Sequence, residues 1–247
     1  MVACLALSGA ELRADEKSRF AEANKFYNDG NYAAAIEKYR ALDSAGYQSG
    51  ELYYNMGNTY YKLSQTGNAV LYYEKAARLL QGDEDVKANL ELAQLKTKDK
   101  IAEVPKFFLS KITEDFFAVF SQTFLGILTL IFFYALAAVA LLRLRNLLPS
   151  SLAGVLQIVL LVLFIISAAI FGAKSYREAS RAEAVVLTPT VNAKNEPRDA
   201  GQTLFIIHEG LKVDLTRTQS EQGDVWIEIR LPDGNKGWIR RTDVGLI

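Results

Sequence analysis

The sequence has little of what catalytic and metal chemistry usually draws on: one cysteine (Cys4) and one histidine (His208) stand in 247 residues. A disulfide framework needs paired cysteines, and the common zinc sites need clustered Cys and His ligands, so neither is expected. No Ser/His/Asp or Cys/His set assembles either. An excess of charge is also missing, because 28 Lys and Arg balance 28 Asp and Glu. A chain built to grip a phosphate backbone carries surplus basic side chains, so nucleic acid is not an expected partner. Adjacent acids such as Glu84 and Asp85 point about 100° apart on a helix and do not converge on one substrate. The expectation is a non-enzyme with no catalytic, cofactor-binding or metal-binding residues. Half of the residues are apolar, which suffices for one or two packed domains.

Two long stretches, residues 116–142 and 146–173, contain no Asp, Glu, Lys or Arg. A bilayer core of about 30 Å takes about 20 apolar helical residues, and soluble helices carry a polar stripe that neither stretch has. The pattern predicts transmembrane helices at 119–142 and 152–173, joined by a short loop at 143–151. A juxtamembrane linker at 104–118 precedes them and a helical linker at 174–183 follows. The loop is too short to hold a domain, so the chain before and after the pair lies on one side of the membrane. Arg143 and Arg145 favour a cytoplasmic loop, against Lys106, Lys111, Lys174, Arg177 and Arg181 at the other ends. Val2–Ala10 reads as the end of a secretory apolar segment, with cleavage positions at Ser8-Gly9-Ala10 or Leu12-Arg13-Ala14. Residues 1–14 are therefore expected to be a signal-peptide remnant, and the soluble parts to be periplasmic on an inner-membrane protein. An ordinary helix start is the alternative. Cys4 reads as a residue of that apolar segment rather than a lipid acceptor. No charge inside the spans marks an ion path.

Shifting residues 15–103 against themselves by 34 positions aligns Ala23 with Gly57, Phe26 with Tyr60, Tyr27 with Tyr61, Ala35 with Ala69, Ile36 with Val70 and Tyr39 with Tyr73. Small residues sit where two helices would touch, and aromatics where gaps would remain. Asn28–Asn31 and Ser64–Asn68 read as the turns inside two helical hairpins, and a further helix is expected from Asp83 to Lys100, with Val86, Leu90, Ala93 and Leu95 on its packed face. Asn55–Tyr61 and Gly30–Tyr39 resemble tetratricopeptide repeats, two full copies with a capping helix. Glu22-Ala23 stands where Leu-Gly is usual, and Gln81 where a proline normally ends the repeat. The resemblance implies a groove for a peptide or protein, with Asn24, Asn28, Asn55, Asn58 and Lys62 as its polar contacts; a solvated face is the alternative.

From Ala184 the period becomes twofold. Residues 184–187, 204–207, 212–216 and 225–230 read as strands separated by turn signals at Glu209-Gly210 and Pro232–Asn235. Alternation places Val225, Ile227 and Ile229 inward and Trp226, Glu228 and Arg230 outward. His208, before the turn, reads as structural or solvent-facing. Glu209-Gly210, Trp226–Ile229 and Gly237–Ile239 resemble a bacterial SH3-like domain over 184–247, with Val191–Pro197 as its opening loop. The resemblance implies an aromatic groove in which Trp226 and Trp238 are the exposed contacts; both rings packing over the rim is the alternative.

The fold class is thus a multidomain membrane protein: an all-α repeat domain, a transmembrane α-hairpin and a small all-β barrel. This order, with Ala88–Ala93 running into Lys98–Ile101, resembles the BatE-type proteins of the Bacteroides aerotolerance operon. That resemblance implies a scaffold in an envelope complex with von Willebrand factor A-type membrane proteins and a MoxR-type ATPase. The alternative is an envelope sensor or wall-attachment protein that binds peptidoglycan through the β domain.

Overall fold

A computed structural model of the chain describes residues 2–102, 120–180, 182–221 and 223–247. The chain forms two compact units, Met1–Val104 with Ala182–Ile247, and Pro105–Arg181. Helices and an antiparallel sheet share the first unit.

Five helices open the first unit: α1 (Val2–Asn28), α2 (Tyr32–Ser44), α3 (Gly50–Lys62), α4 (Thr66–Leu79) and α5 (Glu84–Leu95). Their starts follow from short polar side chains. Asn31 accepts from the Ala34 N–H, Ser49 from Leu52, and Asp83 from both Asp85 and Val86, which satisfies amides a helix start leaves unpaired. The first turn falls at Asp29–Asn31, where Gly30 adopts a φ of +77°. The second is shorter than the sequence suggested: α4 begins at Thr66, so Thr66–Asn68 are helical and only residues 63–65 turn. Tyr39, Tyr60, Tyr73, Leu52, Met56, Val70 and Val86 are buried together with Ala23, Ala35, Ala69 and Ala93. Close approach sets the small positions, since a Cβ at Gly57 would lie 2.5 Å from the Tyr73 ring. Helix α5 ends at Leu95 rather than reaching Lys100. The Thr97 hydroxyl and the Lys100 ammonium both donate to the Gln94 carbonyl, and Asp99 is drawn to the sheet. Leu95 is therefore not on the packed face; it is 72% exposed.

The sheet has seven strands: β1 (Glu183–Val186), β2 (Thr190–Lys194), β3 (Thr203–His208), β4 (Lys212–Glu221), β5 (Asp224–Arg230), β6 (Lys236–Arg240) and β7 (Val244–Leu246). Their order is β3-β2-β6-β5-β4-β1-β7 with every pair antiparallel. Residues Val191–Lys194, expected in a loop, are in strand β2 because their amides pair with β3, and Val191 and Ala193 alternate into the core. In β1 all of Ala184-Val185-Val186 is buried. Ala184 and Val186 enter the sheet core, while Val185 enters the helical core, so one strand is covered on both faces.

The second unit, among its described residues, is a pair of helices, α6 (Gln122–Leu144) and α7 (Ser150–Ser180), joined by residues 145–149. They run antiparallel: Gln122 Nε2 donates to Ser175 Oγ at 2.9 Å, Phe133 meets Phe164 with centroids 6.0 Å apart, and Arg143 donates to Gln157 at 2.7 Å. Spans Gln122–Leu144 and Ser150–Arg177 are long and apolar enough to cross a membrane, and only 6% of an 18-residue apolar stretch in each is buried. At one end Lys174 Nζ donates to the Phe120 carbonyl at 2.6 Å, and within the helices the Thr129 and Ser167 hydroxyls donate to the Leu125 and Phe164 carbonyls. The expected linker at 104–118 lies outside the described residues.

Candidate functional site

The 34-residue period recurs as chemistry. The Tyr39 hydroxyl donates to Asn24 Oδ1 at 2.6 Å and the Asn55 amide donates to the same oxygen at 3.0 Å. One period on, Tyr73 donates to Asn58 Oδ1 at 2.7 Å and Asn89 donates to it at 3.2 Å. Ring packing repeats too, Phe20 against Tyr39 at 5.9 Å and Tyr54 against Tyr73 at 6.1 Å. Burial pushes the Tyr39 and Tyr73 hydroxyls well above their ordinary pKa, so both stay protonated and keep donating.

Asn24, Asn55 and Asn58 therefore stitch α1 to α2 and α3, and α3 to α4 and α5. Each central carbonyl oxygen already accepts twice, which is its capacity. The Nδ2 groups of Asn24 and Asn58 and the Oδ1 of Asn55 and Asn89 keep hydrogen-bonding capacity along one half-buried row. Asn28 and Lys62 are exposed, at equivalent positions one period apart. Continuing the period adds two residues that the sequence reading left out, Asn89 and Lys96. The shift that aligned the first two copies also predicts them, since 55 and 62 plus one period give 89 and 96. Lys96 lies over the Tyr61 ring, 3.6 Å from its centroid.

The two tryptophans do not form an exposed pair. Trp226 is 4% exposed, against the outward placement that alternation suggested. Its cross-strand partner Arg240 lays its guanidinium 5.7 Å from the ring centroid, and Asp199 at 2.6 Å and Asp224 at 3.6 Å hold that guanidinium in place. A charged cover thus buries an aromatic on the outer face, which strand alternation alone does not reveal. Trp238 is half-buried opposite Glu228 and Lys194.

Helix α4 and the linker after α5 hold the sheet. Lys212 donates to Glu74 at 2.9 Å and contacts Glu183 at 3.1 Å, while Arg78 donates to Glu183 at 3.0 Å and to the Ile247 carbonyl at 2.7 Å. The Gly67 N–H donates to the Glu209 carboxylate at 3.0 Å. Asp99 accepts from the His208 backbone at 2.6 Å and pairs with its Nδ1 at 2.8 Å, and Lys98 lies 2.9 Å from Nε2. An ammonium only donates, so Nε2 accepts and Nδ1 carries the hydrogen given to Asp99. His208 is a clasp between linker and sheet. Gly210 beside it needs its positive φ of 84°, and a Cβ there would collide with Thr97.

Among the described residues no group of three or more His, Cys, Asp or Glu is arranged to hold a metal ion. No protein-family model matches this chain, and no curated protein matches it.

Proposed function

We propose that the chain is a non-enzymatic scaffold anchored by α6 and α7 in a membrane, whose helical layers act as tetratricopeptide repeats and bind an extended segment of a partner protein. The observation that carries this reading is the amide row. An extended peptide presents alternating N–H and C=O groups, and unused amide donors and acceptors spaced by a fixed repeat match them. Lys62 and Lys96 one period apart add positive charge, which favours an acidic segment. On this reading the β module serves as an SH3-like domain, and the order of parts resembles the BatE-type envelope proteins, with von Willebrand factor A-type proteins and a MoxR-type ATPase system as partners. The inner membrane is the expected site, with both soluble parts periplasmic. The cover over Trp226 weighs against a peptidoglycan groove at that ring.

The test is binding of an acidic, extended peptide library to the full chain in detergent. Lys62→Glu, at an exposed position, weakens selected peptides by about tenfold, a cost of about 1.4 kcal/mol. Peptides that bind the Lys62→Glu and wild-type chains equally would remove the row from function. Phosphatase and fluorescent reporters placed after Ile247 and within residues 145–149 test orientation, with phosphatase activity at the C-terminus expected.

A further inference from the structure

Helix α5 is apolar on two opposite sides. Val86 and Ala93 are buried against the helical core and Leu90 packs on it. Half a turn away, at 100° per residue, lie Ala88, Leu92 and Leu95. Leu92 is 50% and Leu95 72% exposed, and Ala88 is exposed as well. A helix with two apolar faces is built to be sandwiched, yet α5 has a described neighbour on one face only.

The earlier layers show what this second face does. Ala88, Leu92 and Leu95 stand one period after Tyr54, Asn58 and Tyr61, and two periods after Phe20, Asn24 and Tyr27. Those positions pack on the second helix of their own hairpin and carry the next layer as well: Asn24 accepts from Tyr39 of α2 and Asn55 of α3, Asn58 accepts from Tyr73 of α4 and Asn89 of α5, and Tyr54 accepts from Asn89. The exposed stripe therefore continues an interface already used twice in this molecule. Its chemistry changes at the last step, from an amide oxygen to Leu92. The face no longer offers the acceptor that an asparagine-bearing helix would need.

Charge selects the occupant. The N-terminal end of α5 is acidic, with Asp83, Glu84 and Asp85, and the chain beyond its C-terminal end is basic, with Lys98 and Lys100 flanking an Asp99 that is paired with His208. A second α5 laid antiparallel sets each acidic end against a basic one, whereas a parallel mate would oppose like charges. We propose that α5 is a self-association surface on which two copies of this chain pair about a twofold axis near Leu92, with Ala88 of one copy against Leu95 of the other. Small against large lets the helices approach closely. The interface uses residues outside the amide row, so it stands or falls independently of peptide binding.

Light scattering on the full chain in detergent, with the detergent mass subtracted, tests it. Two copies are expected at about 10 µM. Leu92→Glu with Leu95→Glu, both at exposed positions, is expected to halve the protein mass while the circular dichroism spectrum stays that of the parent. A Cys4→Ser, Leu92→Cys chain is expected to cross-link to a dimer on oxidation, whereas Cys4→Ser, Leu79→Cys, also exposed, is not. A one-copy mass for the parent chain, or a two-copy mass retained by the doubly substituted chain, overturns the proposal.

Discussion

Helices α2 and α4 occupy equivalent places in two successive copies of one 34-residue pattern, and only α4 carries the sheet. Their inner faces match: Ala35 and Ala69, Ile36 and Val70, Tyr39 and Tyr73, and Leu42 and Ala76 are all buried. Their outer faces diverge. In α2 the positions are Ala33, Glu37, Arg40 and Ser44, all exposed. In α4 they are Gly67, Leu71, Glu74 and Arg78, which bond or pack against β1, β4, β7 and the β3–β4 turn. Arg40 instead turns inward and donates to the Tyr60 hydroxyl at 2.7 Å. Four outward positions on one helix thus separate a solvated layer from one that holds a second module. The inner pattern sets the stacking, and the outer one decides what is attached.

The largest effects should come from the shared inner face, and they should come in equal pairs. Tyr39→Ala and Tyr73→Ala each remove a fully buried ring and a hydrogen bond to an asparagine, so each should cost about 3–5 kcal/mol in the thermal unfolding of the full chain in detergent. A large loss for one and a small loss for the other would break the equivalence of the two layers. Next come the outer faces, where the pair should be unequal. Leu71→Glu gives α4 the residue that α2 has at the equivalent position, but puts a charge at a site 5% exposed and packed against Gly245. A loss of about 3 kcal/mol is expected, with β1 amides exchanging faster. The reciprocal Glu37→Leu lies on an exposed face and should stay within about 0.5 kcal/mol.

The same contrast explains what could be read from the sequence. Helix positions were legible because their determinants are local: Asn31, Ser49 and Asp83 cap the helices they precede, and Gly57 meets Tyr73 within one hairpin. The apolar runs that became α6 and α7 were legible for the same reason, because length and composition lie within one stretch. The sheet was harder. β2 pairs with β3 and β6, and the cover on Trp226 comes from Arg240 and Asp199, so neither is visible in the residues around them. The stitching role of Asn24, Asn55 and Asn58 was hidden in another way: the period marks equivalent positions, but a polar residue that recurs can face a ligand or the next helix. Least legible was the joining of helices and sheet into one unit, since Glu74 and Lys212, and Asp99 and His208, bond across more than 100 residues of chain.

The smallest predicted effect isolates the charged part of that joint. Burial by itself would raise the Glu183 carboxyl, but Lys212 and Arg78 outweigh it and hold it below its ordinary value of 4.5. Burial likewise opposes the Lys212 ammonium, but Glu74 and Glu183 outweigh it and hold the group above 10.5. A depressed acid adds stability that is present above its unfolded-state value and lost as pH falls through the folded one. A raised amine adds stability that is present below its unfolded-state value and lost as pH rises through the folded one. The charge network should therefore hold the sheet on α4 at full strength between those limits and weaken it below pH 4.5, by about 1 kcal/mol after allowance for solvent at the partly exposed lysine. Hydrogen exchange between pH 7 and pH 3.5, corrected for the intrinsic rate, should show β1 and α4 losing protection before α2, whose carboxylate contacts, Lys38 with Glu22 and Tyr53 with Asp43, join it to other helices and not to the sheet. Glu183→Gln should abolish that difference. If α4 and α2 instead lose protection together, Glu183 adds nothing to a hold made by Leu71, Gly245 and Val185 with the Gly67–Glu209 and Asp99–His208 contacts, and the outer face of α4 differs from that of α2 in packing rather than in the charge at Glu183.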